Sequence, residues 1–101
     1  MANDKILSMI GLATKAGKIV SGEFSTEQSV KRGRALMVII SSDASENTKK
    51  KFTNMCSFYK VPLYFYGTRE SLGRAAGKEF SVSLALQDEG FSKAIQKLID
   101  P

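Results

Sequence analysis

The hydrophobic pattern of this chain switches repeatedly between helical spacing and short strand-like runs. Ile6, Met9, Ile10, Ala13 and Ala16 recur at helical intervals, which predicts a helix over residues 4–16 with Asn3 or Asp4 as cap and Gly17 as terminator. Lys18 to Ser21 reads as a short strand before Gly22. Ser25 and Gln28 fit a capping box that opens a helix running to about Arg32, with Gly33 as its left-handed stop. Ala35 to Ser41 is a buried strand by its apolar continuity and β-branched content. Ser42-Asp43-Ala44-Ser45 is a loop with helix-capping chemistry, and Phe52, Met55, Cys56 and Tyr59 then mark the clearest helix of the chain. Pro62 precedes a strand from Leu63 to Tyr66. Gly67-Thr68 turns into a helix holding Leu72, Ala75 and Ala76, closed by Gly77. Val82, Leu84 and Leu86 alternate as a strand should, and Phe91, Ala94, Ile95 and Leu98 mark a final helix.

Strict alternation of strand and helix with connections of a few residues calls for helices on both faces of a central sheet. The expected fold is an α/β, three-layer α/β/α sandwich around a four-stranded mixed sheet. A chain of 101 residues has room for one core, so residues 1–101 are expected to form a single domain.

Composition narrows the chemistry. A single cysteine, Cys56, excludes an internal disulfide and a multi-thiolate metal site, and the absence of histidine closes the commonest triads and imidazole bases. Cys56 sits on an apolar stripe and reads as a small buried hydrophobe. No cofactor or metal is expected, and no enzymatic activity. The longest strictly apolar run, the six residues Ala35 to Ile40, cannot span a bilayer, and the N-terminus lacks a signal peptide's layout. The expected location is therefore the cytoplasm, with no membrane partner.

The charge points to a partner. Net charge is +5, and it is unevenly spread: residues 1–78 hold 13 Lys/Arg against 6 Asp/Glu, whereas residues 79–101 hold 2 against 4. A basic body favours nucleic acid or anionic surfaces as partners.

Two segments concentrate this charge near helix starts, Gly22 to Gly33 and Thr68 to Phe80. A helix start offers free backbone N–H groups and partial positive charge to groups rich in lone pairs. In the first segment Glu23, Phe24, Ser25 and Gln28 lie at the helix start and Arg32 one turn further on the same face, with Lys31 and Arg34 adding charge. Gln can pair with a base edge and Arg can hold a phosphate or a guanine. Equally, Ser25 and Gln28 can cap their own helix while Phe24 acts as a hydrophobic staple. Lys49-Lys50-Lys51 reads as a solvated helix face or, alternatively, a phosphate contact. Gly67, Gly73 and Gly77 match no phosphate-binding loop and read as turn and cap residues. Phe80 suits either the core or stacking on a splayed base, and its place in the alternation favours the core.

The succession Gly22-x10-Gly33, Ala35 to Ile40, Ser42-Asp43-Ala44 and Leu72-Gly73-Arg74-Ala75-Ala76-Gly77 resembles the kink-turn-binding ribosomal protein family over nearly the whole chain. That resemblance implies a compact α/β/α fold, no enzymatic activity, and binding to a sharply bent helix–bulge–helix RNA whose bend rests on sheared G·A pairs. It implies that Gly22 and the helix start after it approach the guanine edges, and that Arg32 contacts phosphate. It further implies that Ser45 stands where some members carry a base-reading acid, that Arg69 opens the fourth helix as a basic residue, and that Lys78, Glu79, Phe80, Ser81, Val82 and Ser83 form the loop over the extruded nucleotide. Phe24, Ser25 and Gln28 occupy positions where many members have Asn, Glu and Lys, which removes side-chain pairing to guanine and leaves phosphate and shape. The expectation is a monomeric, ribosome-associated RNA-binding domain that stabilises kinked RNA. The alternative is a protein-interaction module of the same fold with only generic RNA affinity.

Overall fold

Apolar side chains on both faces of the central strands require a helical layer on each side, and the chain supplies them in alternation. The structure, a computed structural model, describes residues 4–101. In chain order it holds α1 (Lys5–Lys15), β1 (Ile19–Ser21), α2 (Glu23–Lys31), β2 (Met37–Ile40), α3 (Glu46–Tyr59), β3 (Leu63–Phe65), α4 (Arg69–Ala75), β4 (Ser83–Leu86) and α5 (Glu89–Ile99). Asp4 caps α1 by accepting the Leu7 N–H at 3.0 Å; Asn3 lies outside the described residues.

The sheet order is β1-β4-β2-β3, with β4 antiparallel to both neighbours and β2 parallel to β3. Ile10 and Ala13 of α1, Leu72 of α4 and Ile95 of α5 pack on Met37, Ile39, Leu84 and Leu86 at one face. On the other, Val30 of α2 and Phe52 and Cys56 of α3 pack on Val38, Ile40 and Ala85. The expected three-layer sandwich and mixed sheet are therefore both present. Burial also pushes the Cys56 thiol up to about 11, so it is an inert core residue at neutral pH.

β4 departs from the simple alternation expected around Val82, Leu84 and Leu86. All four of its residues are buried, because it runs between β1 and β2 with a helical layer on each side. The alternation instead separates two covered faces: Leu84 and Leu86 meet α1 and α5, and the small Ala85 lies under α2 and α3. Val82 precedes the strand.

Topology then decides where the loops lie. β1, β2 and β3 run in one direction and β4 in the other, so three strand ends and the start of β4 share one edge of the sheet. Backbone bonds stitch the loops there together. The Gly22 N–H donates to Ser83 O at 2.9 Å, Ser41 N–H to Val82 O at 2.8 Å, and Ser42 N–H to Gly67 O at 2.8 Å.

Candidate nucleic-acid interface

Gly22 makes the abrupt turn from β1 into α2. It holds φ +100° and ψ 154°, a region essentially closed to residues with a Cβ, and it is the N-cap of α2 without any side-chain bond. The capping box expected of Ser25 and Gln28 is absent, because the helix begins three residues earlier, with Gly22 as its N-cap. The staple expected of Phe24 is absent too: the residue is 74% exposed. Ser25, Gln28 and Arg32 line one groove beside Phe24, and among the described residues their side chains have no protein partner. The left-handed Gly33 closes the helix as expected, with φ +73°.

The other flank of α2 is occupied. Lys51 of α3 reaches Glu23 at 2.9 Å and Glu27 at 2.8 Å, and Lys31 reaches Glu27 at 2.7 Å. Hydrogen bonds from Lys31 and Lys51 hold the Glu27 carboxyl down to about 2. Of the Lys49-Lys50-Lys51 run, Lys51 is thus neither a plain solvated residue nor a free phosphate ligand. The spacing Glu23, Glu27, Lys31 announces a helix-surface ion stripe; that Lys51 would complete it follows only from the packing of α3 on α2. The outcome is a helix whose carboxylates are neutralised on one side and whose uncommitted groups face the other.

The second segment is built differently. Thr68 caps α4 in a reciprocal box with Ser71. The Arg69 guanidinium donates to Asp43 O at 3.1 Å and lies 3.6 Å from its carboxylate, while the Arg69 N–H donates to Asp43 Oδ1 at 3.1 Å. Arg69 thereby ties the loop after β2 to the start of α4. From Lys78 the chain doubles back along α4. Lys78 N–H donates to Gly73 O at 2.7 Å, and Ser81 N–H to Arg69 O at 2.9 Å. This return passes so close to Gly73 that a Cβ there would stand 2.7 Å from the Phe80 Cα and 2.8 Å from the Glu79 carbonyl oxygen. Phe80 is 54% exposed in this loop, not in the core, since the strand begins only at Ser83.

The sequence-derived site residues therefore separate into groups. Gly22, Arg69, Ser81 and Ser83 meet at the common loop edge through the bonds above. Phe24, Ser25, Gln28 and Arg32 run away from it along α2, about 13 Å for a helix of nine residues. Lys78, Glu79 and Phe80 are exposed along α4, with Lys78 at its far end. Four further positions are engaged by the protein itself. Ser81 and Ser83 are buried, and the Ser81 hydroxyl donates to Ser83 O at 3.0 Å, so their side chains shape the loop and cannot reach a ligand. Val82 is half-buried against the α2/α3 core. Ser45 is the N-cap of α3: its hydroxyl accepts from Thr48 N–H at 3.1 Å and bonds the Thr48 hydroxyl at 3.0 Å, and the residue is exposed. Arg34, noted only as added charge, and Gln87, which no sequence motif marked, line the α2 groove; they reach it through the β2 lead-in and the end of β4.

Among the described residues no cluster of three metal-ligating side chains occurs, and no helix is long and apolar enough to cross a membrane.

Known proteins match this chain over nearly its whole length. The chain is 42% identical to the RNA-binding protein YlxQ of Bacillus subtilis over 92 residues, covering 91% of this chain and 92% of that protein. It is 32% identical over 89 residues to the large ribosomal subunit protein eL30 of Methanothermobacter thermautotrophicus, covering 86% and 91%. A solved protein from Bacillus halodurans, 40% identical, superposes with a TM-score of 0.94 over 98% of this chain and 100% of its own. The Giardia lamblia 15.5kD RNA binding protein, at 21% identity, shares the fold with a TM-score of 0.79, covering 98% of this chain and 88% of its own. The curated relatives are RNA-binding and ribosomal proteins rather than enzymes. Residues 4–96 match the ribosomal protein L7Ae/L30e/S12e/Gadd45 family, and the chain belongs to it.

Proposed function

We propose that this chain is a non-enzymatic, ribosome-associated RNA-binding protein that recognises and stabilises a kink-turn-like bent RNA, working in the cytoplasm as a monomer and as one domain over residues 1–101. The observation that carries the reading is the set of uncommitted groups along one flank of α2, Phe24, Ser25, Gln28 and Arg32, continuous at Gly22 with the loop edge that bears Arg69. In this mechanism the close-lying Gly22 backbone and the start of α2 meet base edges. Arg32, Arg69 and Lys78 offset phosphate crowding at the bend, joined by Lys31, which also serves Glu27. The exposed Phe80 and Glu79 cover an extruded nucleotide, on a loop shaped by Ser81, Val82 and Ser83. With Phe24, Ser25 and Gln28 in place of Asn, Glu and Lys, shape and phosphate contacts carry more of the affinity than guanine pairing does.

If about three or four phosphates are neutralised, log K falls with log salt at a slope of about −2 to −4. The test is a gel shift with a kink-turn duplex and a control whose tandem G·A pairs are replaced. Preferential binding of the first, weakened by Arg32→Glu, supports the reading. Equal binding to both leaves generic RNA affinity and returns the protein-interaction alternative.

A further inference from the structure

We propose that the groove between α2 and the β1 edge is a seat for one unpaired nucleotide of the bound RNA. The base lies against Phe24, its edge meets Gln28 and Gln87, and its phosphate lies between Arg32 and Arg34. The inference deepens the RNA-binding reading above and rests on it.

The groove has the right size and chemistry. Its volume is about 260 Å³, below the common range for drug-sized ligands and enough for one planar base. An exposed aromatic ring borders it, and exposed aromatic rings are what single-stranded bases stack on. Gln28 has no protein partner among the described residues. Gln87 spends its amide N–H on Ser29 Oγ at 2.8 Å and keeps its carbonyl oxygen as an acceptor. Arg32 and Arg34 bring two guanidinium groups to one recess, with no carboxylate lining it. The carboxylates of α2 are held on the opposite flank by Lys31 and Lys51, so the groove keeps its positive charge.

The walls are also fixed in advance. Arg34 N–H donates to Ser29 O at 2.9 Å, and Gln87 N–H donates to Lys18 O at 2.9 Å, so both new residues stand on bonded backbone. A carboxylate alone would satisfy the arginines and leave the Phe24 ring and the two amides without a counterpart. A nucleotide uses all of them.

The probes are a kink-turn duplex and the same duplex carrying three unpaired adenosines, one of them 2-aminopurine, at a strand end. Both are titrated at fixed salt against the wild-type chain, the Arg34→Gln variant and the double variant Arg34→Gln with Gln87→Ala. The wild type is expected to bind the extended duplex about tenfold tighter, as one stacked and hydrogen-bonded base allows, with a change in 2-aminopurine emission. The double variant loses that gain and binds the plain duplex as the wild type does. Because Gln87 also braces Ser29, the single variant guards against a folding defect and loses part of the gain. An extension that adds nothing, with plain-duplex binding intact, overturns the nucleotide seat alone. Equal losses on both RNAs in the variants overturn it as well, because they place Arg34 and Gln87 in the duplex interface. Failure of the wild type to bind either RNA overturns the RNA-binding reading together with the seat.

Discussion

Along α2 one flank is left without protein partners among the described residues, whereas at the start of α4 and in the return to β4 Thr68, Arg69, Ser71 and Ser81 are bonded within the protein. Phe24, Ser25, Gln28 and Arg32 have no protein partner among the described residues, while Arg69 serves Asp43, Thr68 and Ser71 cap each other, and Ser81 bonds Ser83. Both segments looked alike as glycine- or threonine-marked basic helices. On the proposed reading this difference is a division of labour: the first offers side chains for readout, and the second a loop held in shape by Arg69, Ser71 and Ser81 that presents Lys78, Glu79 and Phe80. Groups already bonded within the protein gain little by exchanging partners, while free polar and aromatic groups gain the full contact.

The sharpest way to break this contrast is at Gly73. In Gly73→Ala the new Cβ meets backbone atoms of Glu79 and Phe80 at 2.7–2.9 Å, which no side-chain rotation relieves. The expected cost is about 1–3 kcal/mol in urea unfolding, with weaker RNA binding because the loop is displaced. Wild-type stability in this variant would show that the loop is not locked against α4.

A matched pair of variants sharpens the contrast. Phe24→Ala removes an exposed ring, so stability should stay within about 0.5 kcal/mol of wild type while RNA affinity falls severalfold. Ser81→Ala removes a buried bond; it should cost about 1 kcal/mol of stability and leave affinity unchanged. Measured together by chemical denaturation and gel shift, the two should fall on opposite axes.

The smallest effect concerns the occupied flank of α2. Glu27 ordinarily titrates near 4.5 and is held down to about 2 in the folded chain by Lys31 and Lys51. A lowered folded value stabilises above the ordinary value and is lost as pH falls toward the folded one. Thermal melts should therefore place Glu27→Gln below wild type at pH 7, with the gap closing between pH 4.5 and about 2. A gap that is constant across that range would mean the ion stripe contributes nothing.

The layers of this fold were legible because periodicity reports burial. Phe52 and Cys56, and the run Met37 to Ile40, are core in the structure as in the pattern. The starts of α2 and β4 were less legible, for two physical reasons. A positive-φ glycine can cap a helix with no side-chain bond, so the Ser25-x-x-Gln28 box had no role to fill. A strand covered on both faces carries no polar side to fix its first residue, which hid the exposure of Phe80. The α2 groove was half visible: Phe24, Ser25, Gln28 and Arg32 share a helix flank, but Arg34 and Gln87 arrive through tertiary packing.

The central claim is that RNA lies along the free flank of α2 and the loop edge that begins at Gly22. Amide chemical-shift mapping of the isotope-labelled chain, titrated with a kink-turn duplex, tests it most directly. The account predicts that the shifts concentrate at Gly22 to Arg32, at Arg69 and at Lys78 to Phe80, with α1 and α5 silent. Shifts concentrated on the outer faces of α1 and α5, with Gly22 to Arg32 unmoved, would contradict it.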